Sequence, residues 1–324
     1  MMPPRVSHTQ DVSPSERTRE SRTGLCSVCI ATYRRPALLA RLLESLRMQS
    51  LPEGTSMEVI VIDNDPEGSA GPIVERFRDA GAFSCRYFRQ PVKNISITRN
   101  LAVEKADGEY LLFIDDDETA CRDWLRAMLA ALESSGADGV FGPILPDFPD
   151  GTPEWMRRRE LLYRIPLQNT GEPARMKYTG NCLVRSSLLR KIDGPFDPRF
   201  GTTGGEDSFL FEILERQGAC FLYCREAPVY EFLPPTRTTL SHLFLRGIKD
   251  GGNHTRRILE LSHGKRWGLR PFLLGKAIAY GSLSLLLFLL LLPSPYWRTY
   301  WLVRLGSNGG RFLSSLGWNY QFYG

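Results

Sequence analysis

A chain of 324 residues has room for one large α/β domain and a smaller appendage. Apolar residues at 42% and charged residues at 24% are ordinary for a globular protein and exclude a chain disordered throughout. A net charge of +5 is too mild to call for a nucleic-acid partner.

In chain order, residues 1–23 are polar and rich in Ser and Arg, which predicts a disordered tail. They lack the long apolar core of a secretory signal, so the main domain is expected to stay in the cytoplasm. Leu25–Ala31 is a short apolar run that reads as a strand. After Pro36, leucines at 38, 39, 42, 43 and 46 recur at helical spacing and predict a helix over Ala37–Met48. Met57–Ile62 is the second strand, closing on the turn Asp63-Asn64-Asp65-Pro66. Gly71–Ala80 reads as helix and Cys85–Arg89 as a short strand. Ser96–Ala106 reads as a helix capped by Ser96 or Asn94 and ended by Asp107-Gly108. Tyr110–Ile114, five apolar residues bounded by charge, is a buried parallel strand. Repeated strand–helix units mean a parallel sheet wrapped by helices.

The rhythm then breaks. Residues 142–180 are rich in Pro and Gly around Arg157-Arg158-Arg159 and read as long functional loops about a partly helical segment. An amphipathic helix follows over 207–217, with Phe209, Leu210, Ile213 and Leu214 on one face, and a basic helix over about Thr238–Lys249. Phe272–Leu292 holds one charge, Lys276, in 21 residues, a length of helix that reaches across a hydrocarbon core. Arg256, Arg257, Lys265, Arg266 and Arg270 precede it and would mark the cytoplasmic side. Tyr296, Trp297, Arg298, Tyr300, Trp301 and Arg304 follow it in a pattern suited to a headgroup interface. Residues 24–250 are thus expected to form the main domain and 251–324 a basic, hydrophobic region that contacts membrane, whether it spans or lies in the surface. A buried helix closing the domain is the alternative.

Seven cysteines form no regular framework, which suits a reducing compartment. Cys26 and Cys29, three apart in a strand, fall on opposite faces and read as buried structural residues rather than a redox pair. Cys220 and Cys224 fall on one face of a strand-like run, but no matching Cys/His pair stands beside them, so no zinc is expected.

Asp115-Asp116-Asp117-Glu118 follow the fourth strand directly. At the carboxyl end of a sheet, where open α/β proteins bind ligands, such crowded carboxylates repel unless a cation neutralises them. Hard oxygens favour Mg²⁺ or Mn²⁺, commonly shared with a substrate diphosphate; the plain alternative is a solvated acidic turn. Thr32-Tyr33-Arg34-Arg35-Pro36 ends the first strand at a helix N-terminus that favours an anion. Asp63-Asn64 ends the second, able to read a uracil edge or a ribose hydroxyl, or to form a simple Asx turn. Gly204-Gly205-Glu206-Asp207 opens a helix, where Asp207 serves either as a cap or as a general base near an acceptor hydroxyl.

In this order the motifs, together with Arg99-Asn100, Asp107-Gly108-Glu109-Tyr110 and Gly194-Pro195-Phe196-Asp197, resemble glycosyltransferase family 2, the inverting sugar transferases of the GT-A fold, from about Leu25 to Lys249. Pro234–Leu240 and Val61–Asp65 look most like its ExoM-like glucosyltransferases of exopolysaccharide assembly. The resemblance implies Asp117 as metal ligand, Asp115 and Asp116 on the nucleotide-sugar, and Asp63 and Asn64 on the base. It implies Thr32, Tyr33 and Arg35 in the nucleotide pocket and Arg99 near the diphosphate. Asp207 would be the catalytic base, with Glu206 orienting the acceptor. The donor implied is a UDP-hexose and the acceptor a glycan or polyprenyl-diphosphate-linked saccharide, met at the cytoplasmic face of the membrane. Two positions depart from the family pattern. Val229-Tyr230-Glu231 stands where a His is common, leaving Glu231 as a metal ligand instead. Leu243–Gly247 keeps Arg246 without the Gln and Trp of processive members, which argues for adding one sugar, with Arg237 and Arg246 clamping the diphosphate.

Two other classes fit less well. A haloacid-dehalogenase-like phosphohydrolase would use Asp115 as nucleophile and Asp117 as acid/base, but its motif follows a first strand, not a fourth. A non-catalytic carbohydrate- or membrane-binding module would not need both acidic clusters.

Overall fold

The computed structural model describes residues 22–79, 83–158, 161, 167–262 and 266–318, with the side chain of Arg266 excepted. The first half alternates as expected: β1 Arg22–Thr32, α1 Pro36–Arg47, β2 Ser56–Asp63, α2 Gly71–Asp79, β3 Ser84–Arg89, α3 Ile95–Lys105 and β4 Gly108–Ile114. β1 starts earlier than the apolar run does, because Arg22 N–H reaches the Asp107 carbonyl at 2.9 Å. Asn94 is the cap of α3, accepting from the Ile97 N–H at 3.1 Å.

Beyond β4 come β5 Glu118–Ala120, α4 Trp124–Ser135, β6 Gly139–Phe141, β7 Ile144–Asp147, β8 Asn181–Arg185, α5 Ser186–Arg190, α6 Glu206–Arg216, β9 Phe221–Tyr223 and β10 Val229–Phe232. Seven strands form the main sheet in the order β3-β2-β1-β4-β8-β6-β9. β8 runs antiparallel to both β4 and β6, so the sheet is mixed. A small second sheet, β5-β10-β7, closes over the end of β4. The core lies on both faces of the main sheet, with α1, α2 and α4 packed on one side and α3, α5 and α6 on the other. Cys26 faces the first layer and Cys29 the second, each buried, as period-two alternation requires. Cys220 and Cys224 do not share a face: one is exposed and the other buried, because β9 spans only the three residues between them.

Three helices complete the chain: α7 Leu240–Glu260, α8 Arg266–Leu290 and α9 Pro295–Ser315. The basic helix thus runs well past Lys249, and the junction expected at 250 falls inside it. Its continuation is held by α9. A Cβ at Gly247 would lie 2.6 Å from the Val303 carbonyl, and Gly251 and Gly310 are packed tighter still, onto Ser307 and Ile248. α8 returns antiparallel along α9, with Asn308 Nδ2 donating to Ser284 Oγ at 3.1 Å. Leu283, Leu286 and Leu290 on its outer side are exposed. Residues 1–21 and Lys265 lie outside the described residues, as do Arg159 and the tail and basic-flank readings that fall on them.

Candidate active site

β1 and β4 are sheet neighbours, so the turn after each opens at the same edge. Arg34 adopts a left-handed conformation, φ 54°, that few residues other than glycine take readily. The kink sends Arg34 outward to Asp65 at 3.1 Å and Arg35 inward to the acids. Arg35 Nη1 lies 2.9 Å from Asp116 Oδ1 and 2.9 Å from Asp117 Oδ2. Thr32 Oγ1 donates to the other Asp116 oxygen at 2.8 Å. Both oxygens of Asp116 thus meet protein donors, so it holds Thr32 and Arg35 in place at the cavity wall. Burial pushes its carboxyl up to about 6, Arg35 opposing and Asp117 adding to the rise. Tyr33 lines the cavity, with Arg34 and Lys93 over its ring, each 5.3 Å from the centroid.

The second sheet brings in residues remote in sequence. Glu231 pairs across the antiparallel β5–β10 ladder with Glu118. Arg237 Nη1 lies 3.0 Å from Glu231 Oε1 and 3.0 Å from Asp117 Oδ2, so Asp117 and Glu231 converge on one point. Glu118 is buried and accepts from the Asp115 N–H at 2.9 Å. Burial, reinforced by Asp115 and Asp117, raises its pKa well above the carboxylate range. Gly180 packs closely behind this cluster: a Cβ there would stand 2.8 Å from Ile144 Cδ1 and 2.9 Å from Glu118 Oε1.

On the far side Arg99, buried on α3, pairs with Glu206 and also with Asp115 Oδ1 at 3.1 Å. Gly204 and Gly205, at φ 79° and 90°, make the turn that L side chains resist and that opens α6 with Glu206 and Asp207. Glu206 was expected to orient an acceptor, but it is buried against Arg99. Burial raises its pKa to about 7 despite that guanidinium, with Asp207 adding to the rise. Arg99, expected at the diphosphate, is likewise committed to two carboxylates. Asp207 stays partly exposed at the helix start, its Oδ2 accepting from the Thr179 N–H at 3.3 Å and its Oδ1 from the Ser208 N–H at 2.6 Å.

The second-strand pair is placed differently from expectation. Asp63 is fully buried and does not line the cavity. Its carboxylate accepts from the Asp65 and Ala70 N–H groups at 2.9 and 2.8 Å and from the Tyr87 hydroxyl at 3.0 Å. Asn64 reaches the cavity wall but spends its amide on the Gln90 and Val92 carbonyls, at 2.7 and 2.6 Å. Together they hold the turn and the loop beneath the pocket, the Asx alternative for this pair.

All these elements bound one open cavity of about 1080 Å³. It brings together Thr32, Tyr33, Arg35, Asn64, Arg99, Asp115, Asp116 and Asp117 with Glu206, Asp207, Glu231, Arg237 and Arg246. The wall also holds Glu118 of the acidic run and residues that sequence reasoning did not assign to the site: Lys93, His242, Lys249, Asn253, Arg257 and Arg311. For α7 the signal was present as polar residues at helical spacing. For Arg311, on another helix, no local signal existed.

The model for "Glycosyl transferase family 2" matches residues 27–193, which carry β1 to β8 and the acids at the carboxyl edge of β4. The chain belongs to glycosyltransferase family 2. It is 37% identical over 237 residues to the succinoglycan biosynthesis protein ExoM of Rhizobium meliloti (strain 1021), covering 73% of this chain and 76% of that one. It is 28% identical over 169 residues to the poly(ribitol-phosphate) β-N-acetylglucosaminyltransferase TarS of Staphylococcus aureus (strain Mu50), covering 52% of this chain and 28% of TarS. Among solved structures, the mannosyltransferase PcManGT of Pyrobaculum calidifontis, in complex with GDP-Man and Mn²⁺, superposes with a TM-score of 0.63 at 17% identity over 94% of this chain and 89% of that one. TarS 1–349 in complex with UDP-GlcNAc superposes with a TM-score of 0.51 at 16% identity, over 91% and 93% of the two chains. The family-2 chain is thus a glycosyltransferase of GT-A fold, and the phosphohydrolase and binding-module alternatives fall away.

Proposed function

We propose that this glycosyltransferase moves one hexose, glucose by its likeness to ExoM, from a UDP-sugar to a lipid-linked or polysaccharide acceptor by a single inverting displacement, in the making of a cell-surface glycan. The observation that carries this reading is Asp207, partly exposed at the N-terminus of α6 and opening onto the same cavity as the Asp115–Asp117 edge. A carboxylate there takes the proton of the acceptor hydroxyl as it attacks the anomeric carbon. Arg35 and Arg237, already beside Asp117, supply guanidinium charge where the diphosphate leaves. Tyr33 offers a ring for the base. UDP is favoured over GDP because TarS, whose structures hold UDP and UDP-GlcNAc, is also a relative in sequence at 28% identity.

Among the described residues, no group of three or more His, Cys, Asp or Glu side chains is placed to hold a metal by itself. Asp117 and Glu231, converging on one Arg237 nitrogen, do fit Mg²⁺ or Mn²⁺, which is commonly held by one or two carboxylates plus substrate phosphates. When bound, the ion would neutralise the departing diphosphate. Arg237 would yield Asp117 and Glu231 to it.

Membrane contact rests on α8, long and apolar enough to cross a bilayer and exposed along its outer side. Its antiparallel packing on α9 favours a helix lying in the surface over one that spans. A span would draw Arg304 and Arg311 of α9 into the bilayer, at a cost of up to about 3 kcal/mol each. Such a surface helix would hold the enzyme at the cytoplasmic face.

The test is thermal stability of the purified protein with UDP or GDP, each with Mn²⁺ and with EDTA. A ligand at a hundred times its dissociation constant adds about 2.7 kcal/mol. The expected result is a rise with UDP that needs Mn²⁺ and is lost in Asp117→Ala. Asp207→Asn should abolish transfer while keeping the UDP response; loss of both would refute its role as base.

A further inference from the structure

α7 presents His242, Arg246, Lys249, Asn253 and Arg257 at intervals of three and four residues, so they form one helical face, and all five line the cavity. Gly205, immediately before the Glu206-Asp207 turn, packs on that face one turn before its C-terminal end: a Cβ on it would meet the Asn253 Cβ at 3.3 Å. The position of the base therefore divides the face. Arg246 lies on the side of Glu231 and Asp117, whose cations serve the donor. Arg257 lies one turn beyond the base, about 16 Å along the axis from Arg246, farther than one diphosphate reaches.

The far end is built by a second helix. Arg311 of α9 lines the same cavity, held in place by the close glycine packing of α9 on α7. Two acids face this end, Glu212, whose Oε2 lies 2.9 Å from Arg257 Nε, and Asp250. Cations outweigh them. His254, between them, is held down to about 4 by burial and then by Arg311 and Arg257, with Glu212 opposing and Lys276 adding to the effect. Arg256 shows by contrast what a structural arginine does here: it turns away from the cavity, bonds Thr203 Oγ1 at 2.8 Å and stacks on Phe200 at 4.1 Å. Beside the cationic end runs α8, exposing Ile278, Leu283 and Leu286. A cationic pocket flanked by an exposed apolar helix has the chemistry for an amphiphile with a phosphate head.

We propose that Arg257 and Arg311 form an anion cradle, separate from the donor diphosphate's place, that holds the diphosphate of a lipid-carried acceptor while α8 meets its hydrocarbon chain. This rests on the transferase reading above and adds to it where the acceptor's lipid end lies. The acceptor saccharide then spans from the cradle back to Asp207.

The experiment uses the full chain in neutral detergent, with UDP and Mn²⁺ at saturation so that the donor end is filled. Binding of farnesyl diphosphate, inorganic diphosphate and phosphatidylglycerol is measured by calorimetry for the wild type and for the double variant Arg257→Gln/Arg311→Gln. The cradle is supported if farnesyl diphosphate binds the wild type, more tightly than inorganic diphosphate does, and the double variant weakens it at least tenfold with the UDP-induced thermal shift unchanged. In transfer assays the same variant should raise KM for a prenyl-diphosphate acceptor and leave KM for the donor unchanged. Equal binding by both proteins, no binding by the wild type, or displacement by excess UDP would each overturn it. Inorganic diphosphate binding as tightly as the prenyl compound would overturn the lipid assignment. Phosphatidylglycerol competing at equal concentration would make the cradle a general phospholipid contact and overturn the acceptor assignment. A wild type that folds but shows no thermal response to any nucleotide would instead sink the transferase reading, so the two failures are distinguishable.

Discussion

Replacing Gly247 by alanine puts a methyl carbon 2.6 Å from the Val303 carbonyl and 3.2 Å from the Ser307 nitrogen, where ordinary contact begins at 3.4 Å. Both atoms are backbone of α9, so no side chain can swing aside and the helices must part by about 0.8 Å. Overpacking of this kind costs roughly 1–3 kcal/mol. Alanine returns about 1 kcal/mol of helix propensity, leaving a net loss of up to about 2 kcal/mol. Gly252, on the same helix, is the internal control: its Cβ would lie 3.7 Å from the Gly310 carbonyl, an ordinary contact, so only the propensity gain remains. With a shift of about 2–4 °C per kcal/mol in a chain this size, Gly247→Ala should melt about 4 °C below the wild type and Gly252→Ala about 2 °C above it. Scanning fluorimetry in detergent reads both. Because Arg246 is the next residue, Gly247→Ala should also raise donor KM. Equal midpoints for the two variants would refute the claim that α9 holds α7 by backbone contact.

Other outcomes follow from the site. Asp63→Ala leaves the Tyr87 hydroxyl and two buried N–H groups without their acceptor, so it should lose roughly 1–3 kcal/mol on denaturation; a variant of normal stability with weak UDP binding would restore Asp63 to the nucleotide. Glu206 is raised to about 7, so the ion pair that positions Arg99 should weaken as pH falls through that value. The wild type is then expected to lose kcat below about pH 7, whereas Glu206→Gln is slower throughout and lacks that limb of the profile. His254, depressed to about 4, is neutral when folded but protonates near 6.5 when unfolded, so the folded chain binds fewer protons between these values. Its contribution is present above pH 6.5 and lost as pH falls toward 4, and the thermal midpoint of the wild type should drop more than that of His254→Gln over this window. Metal titration without UDP should show no binding at Asp117 and Glu231, and binding once UDP is present; Glu231→Ala should weaken only the second.

The sequence determined the parts of this protein that are local. An apolar run followed by charge, as in Tyr110–Asp117, reads as a buried strand that delivers its acids at a sheet edge, and β4 is that strand. Leucines at helical spacing and Asn94 before Ser96–Ala106 make α1 and α3 with little help from elsewhere. The order of such motifs was specific enough to place the family. It also put Asp117 and Asp207 on one cavity, because that order of strands and helices brings both turns to the same edge.

What tertiary structure alone decided is the division of labour among the charged residues. Asp63 and Glu206 are acids of the right motif, yet one holds a turn and the other holds Arg99, across 107 residues of chain. Which acid keeps a free face depends on which donors fold reaches first, and those donors are distant in sequence. Glu231 meets Asp117 only through the antiparallel register of β10 on β5. α9 reads as an interfacial stretch of aromatics and arginines, but its glycines find backbone on α7 and turn Arg311 toward the site. Side-chain spacing records the period of a helix; it carries no record of which other helix will cover it.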